Sequence, residues 1–183
     1  MMILNDSITG FNMKELIAII LASGKGTRFG MPKVEANWQG SSFPEIIQAT
    51  LQTAGVETIR LAKGYNTLDM LSTLRQAITE LNDKHNANCS GYLIFPVDFP
   101  FVTPDTICKL LAAHHSTPMA IIRPRCDGFS GHPIIIPADF NVFGDDYKQG
   151  LKGLIMHSKT DIVDVQVEDN GVHRNINYPK DLN

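Results

Sequence analysis

Residues 16–33, LIAIILASGKGTRFGMPK, decide the fold of this 183-residue chain. The first six, Leu16 to Leu21, are apolar throughout, which is typical of a parallel strand buried on both faces. A run of that length is far too short to span a bilayer. The glycines that follow let the backbone approach a ligand closely and turn its N–H groups inward. A buried strand that ends in such a turn indicates a ligand site at the carboxyl edge of a parallel sheet.

Short β-rich runs alternate with helical stretches along the rest of the chain. Helices are predicted over 42–54, over 68–81, from a cap at Thr103 to about Ala113, and over 148–156; further strands over 57–61, 92–97, 119–122, 133–136 and 162–167. Pro96 is awkward inside a central strand, so we expect the strand over 92–97 to break near its end. Such alternation predicts a doubly wound, mostly parallel α/β sheet.

The composition is that of one ordinary globular domain, with 43% hydrophobic and 19% charged residues. The net charge of −3 and the absence of a Lys/Arg-dense run predict no nucleic-acid partner, since nucleic-acid binding usually needs a basic face. Cys89, Cys108 and Cys126 lie far apart and are expected to be reduced thiols of a cytoplasmic protein. We expect no membrane partner, and a monomer or weak homodimer.

The first residues do not have the pattern of a signal peptide. Glu15 precedes the apolar run, and no cleavage-like site follows it. Met13 is an alternative start, so residues 1–13 are predicted to be an N-terminal extension and residues 14–183 the domain.

The glycine-rich turn carries three cations, Lys25, Arg28 and Lys33, within a stretch of nine residues. Backbone donors, a guanidinium fork and a point charge together suit a triphosphate. The turn matches neither GxxxxGK[ST] nor GxGxxG, the two common nucleotide-binding patterns. A solvated glycine-rich turn is the competing interpretation, and the combination of three glycines with three cations makes it the weaker one.

The whole stretch 21–33 resembles the signature loop of nucleoside-triphosphate transferases, LAxGxGxRxGxPK. It is most similar to the MobA-like molybdenum-cofactor nucleotidyltransferases, in particular to their cytidylyltransferase branch. Further stretches match in order: 97–104 resembles the metal-binding VDxPxVxP segment, 128–133 the GxxGHP turn, and 175–179 stands where the family has DIDTP. The resemblance spans about residues 15–181. It implies a three-layer α/β/α, Rossmann-like nucleotidyltransferase fold of the nucleotide-diphospho-sugar transferase type.

The resemblance also implies roles for individual residues. Nucleotide binding falls to Leu21, Ala22, Ser23, Gly24, Lys25, Gly26, Thr27, Arg28 and Lys33; catalysis to Arg28, Lys33 and Asp98; Mg²⁺ binding to Asp98 and Asn177; acceptor binding to Gly131 and His132. Two simpler interpretations stay open: Asp98 caps the following turn, and the His132 ring bonds neighbouring backbone. The other histidines, His85, His114, His115, His157 and His173, show no ligand spacing and are expected at the surface or at caps.

Two departures from the family pattern bear on activity. Asn175 and Asn177 replace the two acidic residues, although an asparagine carbonyl can still coordinate Mg²⁺. The additional strand and loop that help recognise the base are missing, since Leu61 leads almost straight into the next helix.

The sequence therefore predicts a Mg²⁺-dependent nucleotidyltransferase. It would move a nucleoside monophosphate from an NTP, with CTP favoured over GTP, to a phosphorylated small-molecule acceptor such as molybdopterin, and release pyrophosphate. A sugar-1-phosphate or phosphoalcohol nucleotidyltransferase is one alternative. A catalytically silent nucleotide-binding protein is the other.

Overall fold

The computed structural model describes residues 15–23, 35–65, 67, 69–85, 89–145 and 148–182. Six of the predicted nucleotide-binding residues lie outside the described residues, namely Gly24, Lys25, Gly26, Thr27, Arg28 and Lys33. The predicted extension over residues 1–13 lies outside them as well.

The described chain alternates strands and helices, as predicted. The strands are β1 (Leu16–Leu21), β2 (Asn37–Trp38), β3 (Ser41–Ser42), β4 (Thr58–Ala62), β5 (Gly91–Pro96), β6 (Ile121–Cys126), β7 (Phe129–Ser130), β8 (Ile134–Pro137) and β9 (Ile162–Gln166). The helices are α1 (Phe43–Thr53), α2 (Met70–His85), α3 (Pro104–Ser116) and α4 (Gly150–His157), with 3₁₀ turns at Asn170–Val172 and Pro179–Leu182.

The main sheet has the order β4–β1–β5–β8–β6–β9, and β7 folds back onto β6 as a hairpin. Neighbouring strands are parallel except at β8, which runs antiparallel to β5 and β6. Only residues 127–133 join β6 to β8, too few for the crossover that a parallel pair needs. The mostly parallel sheet is therefore confirmed, with one reversed strand.

Helices cover both faces of the sheet and complete three layers. Phe43 of α1 and Ile107 of α3 pack on one face together with Phe95 of β5. Leu74 of α2 and Leu154 of α4 pack on the other face. Successive residues of β1 belong to opposite cores, which explains why that strand has no polar position.

The ends of several elements differ from the prediction. The strand predicted over 119–122 is present as β6 with other bounds: Met119 lies in an exposed turn, and β6 runs from Ile121 through Arg123 and Arg125 to Cys126. These arginines break the apolar pattern, but Asp164 on the neighbouring β9 neutralises them. The β2–β3 hairpin was not predicted, whereas the end of β5 at Pro96 was.

His114 was expected at the surface or at a cap, but it is buried, with only 5% of its surface exposed. It follows Ile107 and Leu110 at helical spacing on the inward face of α3, and its Nε2 lies 3.1 Å from Ser90 Oγ. The three cysteines are free thiols, as expected. Over the ranges that the structure describes, no helix has the length and apolarity needed to cross a membrane.

Candidate active site

The carboxyl ends of β1, β4 and β5 meet at one edge of the sheet. The Ala22 N–H donates to Ala62 O at 2.9 Å, and the Val97 N–H donates to Leu21 O at 3.0 Å. Asp98 therefore comes directly after Val97, which is hydrogen-bonded to the last residue of β1. The predicted nucleotide-binding residues Leu21, Ala22 and Ser23 begin the turn at this edge, and Leu21 and Ala22 are buried.

A buried hydroxyl on α2 anchors the start of that turn. Thr73 is fully buried, and its Oγ1 lies within hydrogen-bonding distance of the Ser23 hydroxyl and of Thr67 Oγ1 (2.6 Å). It also donates to Asp69 O at 3.0 Å. Sequence reasoning missed Thr73, because an isolated threonine inside an amphipathic helix carries no signal of a remote partner.

The segment over 169–177 lies along the chain that follows β5. The Ile176 N–H donates to Asp98 O at 2.8 Å, and Asn177 is the residue that follows Ile176. Asp181 Oδ2 in turn accepts from the N–H groups of Asn177 (2.9 Å) and Tyr178 (2.8 Å). The structure thus brings together the two segments that carry the predicted metal ligands, although 79 positions separate Asp98 from Asn177.

Asp169 holds this segment against the start of α3. Its Oδ2 accepts from the Thr103 N–H (2.8 Å), Thr103 Oγ1 (2.9 Å) and Thr106 Oγ1 (2.7 Å). Its Oδ1 accepts from the Gly171 N–H at 2.9 Å. A Cβ on Gly171 would stand 2.2 Å from Phe101 O, so only glycine permits this approach. The sequence shows an ordinary Asp-Asn-Gly turn here and no sign of the distant threonines.

The predicted acceptor residues lie on the other side of the same segment. The Gly131 N–H donates to Pro124 O (2.9 Å), and the His132 N–H donates to Val172 O (3.0 Å). The His132 ring packs against Phe99 with 4.8 Å between centroids.

Burial lowers the pKa of the His132 imidazole, the nearby Asp98 carboxylate opposes this shift, and His173 adds to it. His132 is therefore an electrostatic neighbour of Asp98. Its Nδ1 is buried and has no hydrogen-bond partner among the described residues, so the backbone-bonding interpretation fails at this atom.

The donor chemistry at this edge fits a hard cation. Asp98 offers a carboxylate and Asn177 an amide oxygen, and Mg²⁺ is usually held by one or two such ligands together with phosphate oxygens and waters. Within the described ranges, no three His, Cys, Asp or Glu side chains cluster as a metal site. A cation here would accordingly depend on the phosphates of a ligand for its remaining coordination.

A cleft of about 980 Å³ extends from His132. Asp69 just before α2, Lys148 just before α4 and Lys152 within α4 form part of its wall. Arg123 of β6 contributes from the sheet. Its size is within the range of small-molecule sites. Gly150 and Leu151 also line it.

Comparison with known proteins bears on this arrangement. Residues 18–143, more than half of the chain, match the family described as the MobA-like NTP transferase domain. The chain belongs to this family. The motifs at 21–33, 97–104 and 128–133 predicted membership of this family, and that prediction is confirmed.

One curated relative is a probable molybdenum cofactor guanylyltransferase of Geobacillus sp. (strain WCH70), 27% identical over 113 residues. The match covers 54% of this chain and 57% of that protein, so the chain spans little more than half of the relative's length.

Solved structures with the same fold agree with the three layers of this MobA-like chain. Rv0371c of Mycobacterium tuberculosis H37Rv has a TM-score of 0.76 at 17% identity, covering 92% of this chain and 95% of that chain. Its complex with manganese has a TM-score of 0.65 at 17% identity, covering 84% and 89%. The 2-C-methyl-D-erythritol 4-phosphate cytidylyltransferase of Thermus thermophilus has a TM-score of 0.62 at 16% identity, covering 92% and 95%. Identities this low establish the fold alone.

Proposed function

We propose that this chain is a divalent-metal-dependent nucleotidyltransferase that transfers a nucleoside monophosphate from an NTP to a phosphorylated small-molecule acceptor. The observation that carries the proposal is the backbone contact of Ile176 with Asp98 beside the end of β1. It supports a site in which Asp98 and Asn177 face the turn that begins at Leu21. Family membership supports the same activity.

The reaction needs positioning and charge stabilisation more than it needs a base. An acceptor phosphate oxygen attacks the α-phosphorus in line, the bond to the bridging oxygen breaks, and pyrophosphate leaves. Arg28 and Lys33 are proposed to stabilise the triphosphate and the departing pyrophosphate. Asp98 and Asn177 are proposed to hold Mg²⁺, which supplies positive charge at the phosphate oxygens when bound.

His132 stays neutral near pH 7 on this proposal, because burial lowers the pKa of its imidazole. A neutral ring beside Asp98 can orient an acceptor by hydrogen bonding without adding a proton to the site. Gly131 supports this position by keeping its own backbone in contact with Val172.

CTP is the proposed donor, because the Gly131-His132-Pro133 turn resembles that of the cytidylyltransferase branch. GTP is the donor to compare with CTP, because the curated Geobacillus relative is named as a guanylyltransferase. The same relative supports molybdopterin as the candidate acceptor. The free thiols are consistent with the proposed cytoplasmic location.

A silent nucleotide-binding protein is the second candidate, and the amides at Asn175 and Asn177 favour it. The amide of Asn177 attracts a cation less strongly than the carboxylate that the family pattern has at this position. Binding of NTP without turnover would identify this case.

Pyrophosphate release tests the proposal. The full chain is incubated with each NTP and Mg²⁺ or Mn²⁺, in the presence of molybdopterin, sugar 1-phosphates or phosphoalcohols, and NTP binding is measured separately by calorimetry. We expect release with CTP and a matching acceptor, and a loss of about 10²–10³-fold in Asp98→Asn, since the proposed metal ion loses its carboxylate ligand and the reacting phosphates lose the charge stabilisation that the ion supplies.

Asp105→Asn is the matched control, because its carboxylate is exposed on α3 and pairs with Lys109 of the same helix. Lys33→Ala should also lose turnover while its folding survives. Full turnover in Asp98→Asn would refute the assignment of this residue, and NTP binding without release under every condition would support the silent protein.

A further inference from the structure

The exposed apolar side chains of this molecule are concentrated at the cleft beside His132. The described residues include seven large apolar side chains with substantial exposure: Met70, Met119, Phe129, Phe143, Met156, Ile162 and Tyr178. Four of these, Met70, Phe129, Met156 and Ile162, line the one cleft, with Phe129 71% and Met156 63% exposed. Single exposed apolar residues are common, whereas a group around a concave site usually marks a binding surface.

The cleft is a groove that runs along α4. Lys148 and Leu151 lie around the start of this helix and line the cleft together with His132, and Met156 lies in its last turn. An α-helix that rises 1.5 Å per residue gives α4 a length of roughly 12 Å. Ile162 begins β9, whose strand partner among the described residues is β6 alone, and this residue is 40% exposed at the groove.

The floor of the groove is aliphatic. Ile94, Ile121 and Ile134 come from three neighbouring strands, and Leu151 and Ile155 come from α4. A ligand body rich in hydroxyls would lose water there without gaining equivalent hydrogen bonds, at a cost for each unpaired group. An apolar body would instead gain from the area that it removes from water.

Charge is distributed unevenly around the groove. Lys148 and Lys152 are four residues apart and lie on its wall, and in the part of the chain that the structure describes neither has a carboxylate within salt-bridge distance. Arg123, by contrast, is held by Asp164. The two lysines therefore complement an anionic group more readily than Arg123 does.

We propose that the groove binds an amphiphilic phosphomonoester, with its phosphate between His132 and the pair Lys148 and Lys152 and its apolar body along Phe129, Met156 and Ile162. The identification of this ligand as the acceptor rests on the proposed function, because transfer requires the phosphate near Asp98. The ligand class itself rests on the groove. It disfavours a sugar 1-phosphate as the acceptor.

Binding of simple alkyl phosphates tests the proposal without any nucleotide. The full chain is titrated by calorimetry with inorganic phosphate and with butyl, hexyl and octyl phosphate below their micellar concentrations. Because a buried methylene contributes about 0.8 kcal/mol, affinity should rise about threefold to fourfold for each added CH₂ that enters the groove. Octyl glucoside, with the same chain and no charge, should bind more weakly than octyl phosphate.

Matched variants locate the binding. Phe129→Ser and Met156→Gln should each remove a large part of the chain-length dependence. Phe143→Ser and Met119→Gln should leave it unchanged, because these residues are similarly exposed but lie away from the groove. Lys152→Gln should weaken all the phosphates by a similar factor, whatever their chain length.

Three outcomes would overturn the inference. Affinity could be independent of chain length, or the chain-length dependence could survive both Phe129→Ser and Met156→Gln. Alternatively, sedimentation could show a dimer that these variants dissociate, with no alkyl phosphate bound, which would make the groove an interface between copies.

The two proposals fail separately. Octyl phosphate binding without any NTP binding would refute the nucleotidyltransferase and keep the groove's ligand class. Pyrophosphate release with a polar acceptor, and no affinity for octyl phosphate, would do the reverse.

Discussion

Gly131 and Gly171 stand where backbone segments approach too closely for any side chain. A Cβ on Gly131 would lie 2.4 Å from Val172 O, and one on Gly171 would lie 2.2 Å from Phe101 O. Backbone atoms cannot move aside as a flexible side chain can. Both glycines thus set the position of the segment over 169–177, and with it the position of Asn177.

Gly131→Ala should push the His132 turn away from Val172. We expect a loss of about 1–3 kcal/mol in the free energy of unfolding, measured in urea, because the added methyl overpacks a filled space. Gly144→Ala is the control, since its Cβ would first meet the end of the Leu154 side chain at 3.4 Å. Equal stability of the two variants would show that the close approach at Gly131 relaxes without cost.

His114 should make stability depend on pH. Burial lowers the pKa of its imidazole, and His115 lowers it further. In the unfolded chain this ring takes up a proton near pH 6.5, whereas the buried ring takes it up only at lower pH. The unfolded state therefore binds more protons below about pH 6.5, and acidification lowers the free energy of unfolding.

His114→Gln should flatten this dependence when urea unfolding is measured between pH 7.5 and pH 5.5. His132 has a lowered pKa as well and is present in both proteins, so the difference between their slopes isolates His114. Parallel slopes would mean that the buried ring is protonated as easily as in the unfolded chain.

The start of α2 connects the sheet edge to the groove. Thr73 bonds Ser23, at the exit from β1, and Thr67, before the helix. Met70 and Leu71 of the same first turn line the groove. This helix end therefore touches both the predicted nucleotide turn and the proposed acceptor site.

Thr73→Val keeps the shape of the side chain and removes its hydroxyl. We expect a loss of about 1–3 kcal/mol in the free energy of unfolding, because the partly buried hydroxyls of Ser23 and Thr67 lose a hydrogen bond. NTP affinity should fall too, since Ser23 loses its anchor. Thr79→Val is the control on the same helix, because its exposed hydroxyl bonds Arg75 O within that helix. Unchanged NTP affinity in Thr73→Val would show that the Ser23 contact does not position the turn.

Asp164 ties the last two strands of the sheet together. It accepts from Arg125 Nη1 at 2.9 Å and also pairs with Arg123, and these hydrogen bonds, with the arginine charges, lower the pKa of its carboxyl. Among the described strands β9 pairs with β6 alone, so this contact adds to the one ladder that holds it. The same ion pairs explain how β6, which carries Arg123 and Arg125, can lie in the interior of the sheet.

Ligand binding should stabilise the molecule as a whole. Mg²⁺ with CTP at about 100 times its Kd would add about 2.7 kcal/mol, because the unfolded chain has no such site. For a domain of this size each kcal/mol raises Tm by about 2–4 °C. Calorimetric scans should therefore show a rise of several degrees.

Chelation of the metal with EDTA should remove most of that rise, while the Tm of the unliganded protein stays the same. Asp98→Asn should behave like the chelated sample. A rise of equal size in EDTA would exclude a metal that links Asp98 to the nucleotide.

Much of this fold follows from local sequence pattern. The buried strand over 16–21, the amphipathic helix α2 and the Thr103 cap of α3 were predicted because hydrophobic periodicity and capping act between near neighbours. The family resemblance was equally readable, since the motifs after β1 and β5 and before β8 occur in a recognisable order. The common location of the first two at the carboxyl edge follows from a parallel sheet. The third lies at the same edge because β8 runs antiparallel to its neighbours.

Contacts between distant segments could only come from the tertiary structure. The burial of His114, the anchoring of Ser23 by Thr73 and the approach of Ile176 to Asp98 each join residues from different elements. No local period encodes them, because they depend on which groups fill a shared volume after the layers have packed. The apolar groove along α4 has the same origin: its side chains come from separate helices and strands, and their exposure together exists only in the folded chain.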